Sequence, residues 1–89
     1  MIRESVTIVN RLGLHARAAA KLVSTASQFQ CDVRLCKEGR EVDGKSIMSV
    51  MMLAASCGSE IELITDGEDE NAARDALVAL IADRFGEEN

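Results

Sequence analysis

The chain has 89 residues, of which 47% are hydrophobic and 28% are charged, and its formal net charge is −5. This length fits one compact domain, which we place over residues 1–89. The negative charge, together with two phenylalanines and no tryptophan or tyrosine, argues against nucleic-acid binding, because that function uses basic surfaces and aromatic stacking platforms.

Periodic hydrophobic residues predict seven elements in the order β-α-β-β-α-β-α. The strands are predicted at residues 3–9, 31–36, 40–43 and 60–65, and the helices at residues 16–28, 47–54 and 69–84. In the second strand, Cys31, Val33 and Leu35 alternate with polar residues, as expected for an antiparallel sheet with one face open to water. We therefore predict the α+β class: an open-faced two-layer sandwich whose four-stranded antiparallel sheet is covered on one face by three helices.

The second helix has recognisable residues at both ends. Ser46 is a good N-cap, because its hydroxyl can accept a hydrogen bond from an unpaired amide in the first turn. Gly58 suits the left-handed position that ends such a segment. The apolar stripe of this helix consists of Ile47, Val50, Met51 and Ala54. So short a helix cannot bury all its apolar side chains, and we expect some of them to be exposed.

Targeting, membrane and metal-binding patterns are not apparent in the sequence. No apolar stretch approaches the ~20 residues that span a bilayer, and residues 1–5 lack the apolar region of a signal peptide. We therefore expect a cytoplasmic protein without direct membrane insertion. Cys31, Cys36 and Cys57 form no C-x-x-C pair, and the single histidine lies elsewhere in the sequence, so we predict no metal site and no cofactor.

Charge is distributed unevenly along the chain. Residues 60–89 carry ten acidic side chains against two arginines, and we interpret this region as a solvated helix face followed by a frayed end. Residues 1–25 carry four basic side chains against a single acidic one, Glu4, and they also contain the single histidine, His15. The chemistry of the chain is therefore best sought near His15.

His15 lies where a loop meets the first helix. The first amides of a helix have no internal partners and, with the helix dipole, favour anions. A neutral imidazole has a free lone pair and can act as a nucleophile, and Arg17 in the first turn could neutralise a phosphoryl group. From spacing alone, a histidine that caps a helix and a solvated arginine remain the commoner interpretations.

Two sequence blocks stand out, GLHARAAAK at residues 13–21 and GKSIMSVMML at residues 44–53. The first resembles the active-site motif of the HPr family, the histidine phosphocarriers of the bacterial phosphotransferase system. The second resembles the segment around the regulatory serine of that family. The resemblance covers essentially the whole chain. Ala18 stands where many sugar-type members have proline, and the alanine-rich motif looks more like the nitrogen-related branch. This departure leaves the pathway open.

The resemblance implies a stoichiometric phosphocarrier that is not itself an enzyme. His15 would accept on Nδ1 a phosphoryl group that enzyme I takes from phosphoenolpyruvate, and would pass it to an enzyme IIA protein or domain. Arg17 would assist, and the backbone amides of Ala16 and Arg17 would contact the phosphoryl group. Ser46 matches the serine that an HPr kinase/phosphorylase modifies in some lineages.

The resemblance also suggests a docking surface for these partners, formed by Ala20, Ile47, Met48 and Met51. Methionine suits a surface that must fit several partners. We expect a monomer. The alternative function is a regulatory binding module, whose phosphorylation state at His15 and Ser46 controls target proteins without sugar transport.

Overall fold

The computed structural model describes residues 1–87, and its elements follow the predicted order. They are β1 (Ile2–Thr7), α1 (Ala16–Ala26), β2 (Asp32–Lys37), β3 (Arg40–Asp43), α2 (Ile47–Met52), β4 (Glu60–Asp66) and α3 (Glu70–Ala82), followed by a 3-10 turn at Arg84–Gly86. Within the described residues, no helix has the length and apolar character needed to span a bilayer.

The four strands form one antiparallel sheet in the order β1-β4-β2-β3. In this sheet Val6 lies opposite Ile61, and Leu35 lies opposite both Leu63 and Val42. The alternation predicted for β2 is confirmed, because Cys31, Val33 and Leu35 are buried. The fold is therefore the predicted α+β open-faced sandwich.

The hydrophobic core lies between the sheet and the three helices. From the sheet it includes Val33, Leu35, Ile61 and Leu63, and from the helices Ala18, Ala19, Leu22, Val50, Ala73, Leu77 and Ile81. The small residues on α1 and α3 allow those helices to pack closely on the sheet. This packing fixes α1, whose first turn carries the candidate site.

α2 ends earlier than predicted, at Met52. Ala54, with φ of +55°, takes the left-handed position that we predicted for Gly58. Gly58 also has a positive φ, +91°, but it lies in the turn before β4 and not at the end of α2. Its N–H donates to the carbonyl of Ile8 at 2.7 Å. Only Val50 of the predicted stripe is buried, together with Leu53. A helix of six residues presents little more than one turn to the core, so Ile47 and Met51 remain 43% and 38% exposed.

The C-terminal segment also departs from the prediction. α3 ends at Ala82, and the backbone turns so that the ring of Phe85 enters the core and is fully buried. Arg84 and Phe85 both have positive φ angles, +57° and +56°, which no continuing right-handed helix allows. The prediction of a helix to residue 84 is wrong by two residues, and that of a frayed end is wrong for residues 85–87; its remainder lies outside the described residues.

Candidate functional site

A short loop between β1 and α1 positions His15. Asn10 is buried, and its Nδ2 donates to the carbonyl of Gly13 at 2.7 Å. The N–H of Gly13 in turn donates to the carbonyl of Asn10 at 3.1 Å. The N–H of Leu14 donates to the carbonyl of Ala55 at 2.9 Å. The residues before His15 are thus held both by their own turn and by the segment after α2.

His15 is the N-cap of α1, at the predicted junction of loop and helix. Its backbone is extended, and its carbonyl accepts the N–H of Ala19 at 2.8 Å. Within residues 1–87, no side chain caps the helix at this end. The amides of Ala16 and Arg17 therefore lack an intrahelical partner, and they lie at the positive end of the helix dipole. This arrangement favours an anion beside His15.

Glu87 lies against the His15 ring, and no sequence pattern had pointed to it. Nε2 of His15 and Oε2 of Glu87 are 2.5 Å apart, and the two side chains are 27% and 15% exposed. Oε1 of Glu87 accepts a hydrogen bond from Nδ2 of Asn10 at 3.0 Å. The bond from Asn10, and then that from His15, lower the pKa of Glu87 below its ordinary value. The carboxylate is consequently ionised at neutral pH.

One signal could have drawn attention to Glu87. Phe85 is a large apolar residue isolated among the polar residues that end the chain, and such a residue often anchors its segment to a core. That anchor brings the following carboxylate within reach of α1. Predicting the contact with His15 still required knowing where α1 begins relative to the last turn.

Arg17 and Lys21 lie one turn apart on α1. Arg17 is exposed, and no partner within residues 1–87 forms an ion pair with it, so its guanidinium can meet an incoming anion. Nζ of Lys21 instead donates to the carbonyl of Phe85 at 2.6 Å. The structure therefore gives the two cations different roles: Arg17 faces solvent, and Lys21 holds the C-terminal segment.

The residues predicted for docking and regulation lie on α1 and α2, which pack together. Ala20 is exposed on α1. On α2 the apolar surface consists of Ile47, Met48, Met51 and Met52, and Met48 is the most exposed of these at 68%. Ser46 caps α2 as predicted, because its Oγ accepts the N–H of Ser49 at 3.3 Å. The docking role of this surface stays a prediction.

Within residues 1–87, no group of three or more histidine, cysteine or acidic side chains is arranged to hold a metal ion. The chemistry that the site can perform rests on the His15 ring, the first amides of α1, the Arg17 guanidinium and the Glu87 carboxylate.

The fold and the site define a class: small open-faced α+β sandwiches with a histidine at the start of the first helix. A family model described as the PTS HPr component phosphorylation site matches residues 2–83. Phosphocarrier protein HPr of Cupriavidus necator is 59% identical over 87 residues, 98% of each chain, and that of Xylella fastidiosa (strain Temecula1) is 53% identical over 88 residues, 99% of each. HPr-C-His from Thermoanaerobacter tengcongensis matches with a TM-score of 0.96 at 44% identity, over 100% of both chains.

The chain belongs to the HPr family. The similar sequences agree over nearly their whole lengths, so the family assignment applies to the entire fold. Membership supports a role as a phosphocarrier of the phosphotransferase system.

Proposed function

We propose that this protein is a single HPr-like domain that accepts a phosphoryl group on His15 from enzyme I and passes it to an enzyme IIA protein or domain. The observation that carries the proposal is the position of His15 as N-cap of α1, beside amides that have no partner within the helix. Such a site can hold the charge of a phosphoryl group without a metal.

The chemistry is a reversible displacement at phosphorus. The lone pair on Nδ1 of His15 forms the N–P bond, and the donor's bond to phosphorus breaks, so that the donor leaves with that electron pair. The new dianion would lie beside the amides of Ala16 and Arg17. The Arg17 guanidinium would add charge-assisted hydrogen bonds. Transfer to the acceptor reverses these steps.

Partner binding would use the exposed side chains next to this site. We assign docking of enzyme I and enzyme IIA to Ala20, Ile47, Met48 and Met51. The flexible methionines can adapt to more than one partner surface. Phosphorylation of Ser46 by an HPr kinase/phosphorylase would place a dianion at the edge of this surface and weaken docking.

The test is phosphorylation with phosphoenolpyruvate and a cognate enzyme I. We expect one phosphate per chain, labile in acid and stable in base, as an N–P bond is. His15→Ala should abolish labelling, whereas the control Asn71→Ala, at an exposed position on α3, should be labelled normally. Undiminished labelling of His15→Ala would contradict the proposal. Labelling of the wild type without onward transfer to any enzyme IIA would favour the regulatory alternative.

A further inference from the structure

The last described residues form a strap that returns to the start of α1. The C-terminal strap, residues 84–87, follows α3 and ends with Glu87 against the ring of His15. We propose that Glu87 is a positioning residue for His15: its carboxylate accepts a hydrogen bond from Nε2 and leaves Nδ1 as the nitrogen that takes the phosphoryl group. This inference rests on the proposed function of His15.

Both carboxylate oxygens of Glu87 are engaged. Oε2 contacts Nε2 of His15 at 2.5 Å, and Oε1 accepts from Nδ2 of Asn10 at 3.0 Å. Asn10 is buried, and its Nδ2 is itself held by the carbonyl of Gly13. Rotation of the carboxylate would therefore break two contacts at once. The loop before α1 and the C-terminal strap hold the ring between them.

The charge state of Glu87 determines where the ring proton lies. The pKa of Glu87 is lowered, chiefly by the hydrogen bond from Asn10, so the carboxylate is ionised at neutral pH. An ionised carboxylate can only accept hydrogen bonds, and the hydrogen in this contact must belong to Nε2. In a neutral imidazole the other nitrogen then carries the lone pair. Nδ1 is thereby free to attack phosphorus.

The strap is held against a local conformational preference. Arg84 and Phe85 have φ angles of +57° and +56°, in the left-handed region that residues other than glycine disfavour. The buried ring of Phe85 and the bond from Lys21 to the Phe85 carbonyl stabilise the turn. Residues held in strained backbone conformations are often found at functional sites.

Backbone hydrogen bonds stabilise the turn between the buried Phe85 and Glu87. The N–H of Gly86 donates to the carbonyl of Asp83 at 3.0 Å, and the N–H of Glu87 donates to the carbonyl of Arg84 at 2.9 Å. Lys21 lies on α1 and His15 is the N-cap of the same helix, so one element positions both the residue that anchors the strap and the residue that the strap contacts. The contact with His15 is thus part of the folded structure.

The experiment compares Glu87→Ala and Glu87→Gln with a charge-matched control, Glu68→Ala, which removes an exposed carboxylate. In the unphosphorylated protein, NMR should detect a slowly exchanging Nε2–H proton of His15 in wild type and in Glu68→Ala. Glu87→Ala should lose this signal. Glu87→Gln should keep it, because the amide oxygen can still accept. Circular dichroism checks that every variant is folded.

Transfer kinetics provide the second measurement. With phosphorylated enzyme I, Glu87→Ala should lower the maximal rate on the order of 10-fold, less than the ~100-fold that misplacing a reacting group by 1 Å can cost. KM should not change, because Glu87 lies outside the proposed docking residues. Glu87→Gln should recover part of the rate.

Three results would overturn the positioning role: an unchanged Nε2–H signal and rate in Glu87→Ala, a change in KM alone, or equal losses in Glu87→Gln and Glu87→Ala. In each case, if His15→Ala is no longer labelled, the proposed carrier function is still supported. Labelling that survives in His15→Ala would instead remove the carrier function, while the NMR signal would still report on the contact.

Discussion

The N–H of Leu14 donates a hydrogen bond of 2.9 Å to the carbonyl oxygen of Ala55, so the residue before His15 is tied to the segment that links α2 to β4. Gly13 makes this approach possible. Its φ is +66°, and a Cβ at this position would lie 2.6 Å from the same carbonyl oxygen. The loop that positions His15 therefore packs backbone against backbone on the segment after α2.

Gly13→Ala should destabilise the fold. The left-handed backbone alone costs an alanine about 1–3 kcal/mol, and the contact with the Ala55 carbonyl should add to this. Gly39→Ala is the matched control, because Gly39 also has a positive φ, +82°, but nothing lies within 4 Å of its Cβ position. Urea unfolding should show a larger loss for Gly13→Ala. Equal losses would mean that the close approach to Ala55 does not matter.

Arg17→Ala should fold as the wild type does and transfer phosphate more slowly. Arg17 is exposed, and alanine is the better helix former, so thermal unfolding should not change. The rate should fall because the charge on the phosphoryl group is less well matched. Arg17→Lys should recover only part of it, since lysine lacks the planar fork. Single-turnover kinetics that match wild type in Arg17→Ala would identify Arg17 as ordinary surface.

Substitutions at Ser46 should separate its capping role from its effect on docking. Ser46→Ala removes the acceptor for the Ser49 N–H and should cost about 0.5–2 kcal/mol of stability. Ser46→Asp keeps an N-cap acceptor and places negative charge at a helix N-terminus, so it should unfold near the wild-type temperature.

Ser46→Asp should nonetheless accept phosphate from enzyme I more slowly, through weaker binding beside Ile47 and Met48. The defect should shrink in high salt, which screens exposed charges. Ser46→Ala is the uncharged comparison and should transfer normally. Wild-type transfer by Ser46→Asp at low salt and sub-saturating concentration would leave Ser46 with a capping role alone.

Asp69 should make stability depend on acid pH. Its carboxylate accepts the backbone N–H groups of Gln30 and Cys31, both at 2.9 Å, and these bonds, that of Gln30 first, lower its pKa from the ordinary 3.8. A lowered pKa contributes stability that is fully present above the unfolded-state value and is lost as pH falls through the folded-state value.

Asp69→Asn should therefore be less stable than wild type at pH 7, and the difference should shrink as the pH is lowered below about 4. Chemical unfolding at a series of pH values measures this. Asp32→Asn, which removes an exposed carboxylate on β2, is the control and should follow the wild-type curve. A constant difference between Asp69→Asn and wild type at all pH values would contradict the assignment.

The order of the elements, and the features that depend only on residues close in the chain, could be predicted from the sequence alone. The bounds of β3, the start of α1 at Ala16 and the cap at Ser46 were all predictable. Alternation in β2 needs only the two-residue period of a strand, and a cap needs only an acceptor within one turn. The resemblance of two motifs to the HPr family likewise required no coordinates.

Features that depend on residues far apart in the chain could not be predicted without the tertiary structure. His15 and Glu87 are separated by 72 positions, and they meet because Phe85 enters the core and turns the backbone away from α3. The limited space in the core likewise determines which apolar side chains of α2 and its C-cap are buried. Val50 and Leu53 are buried, whereas Ile47 and Met51 are exposed. Local periodicity carries no information about which of several apolar side chains a finite core has room to bury.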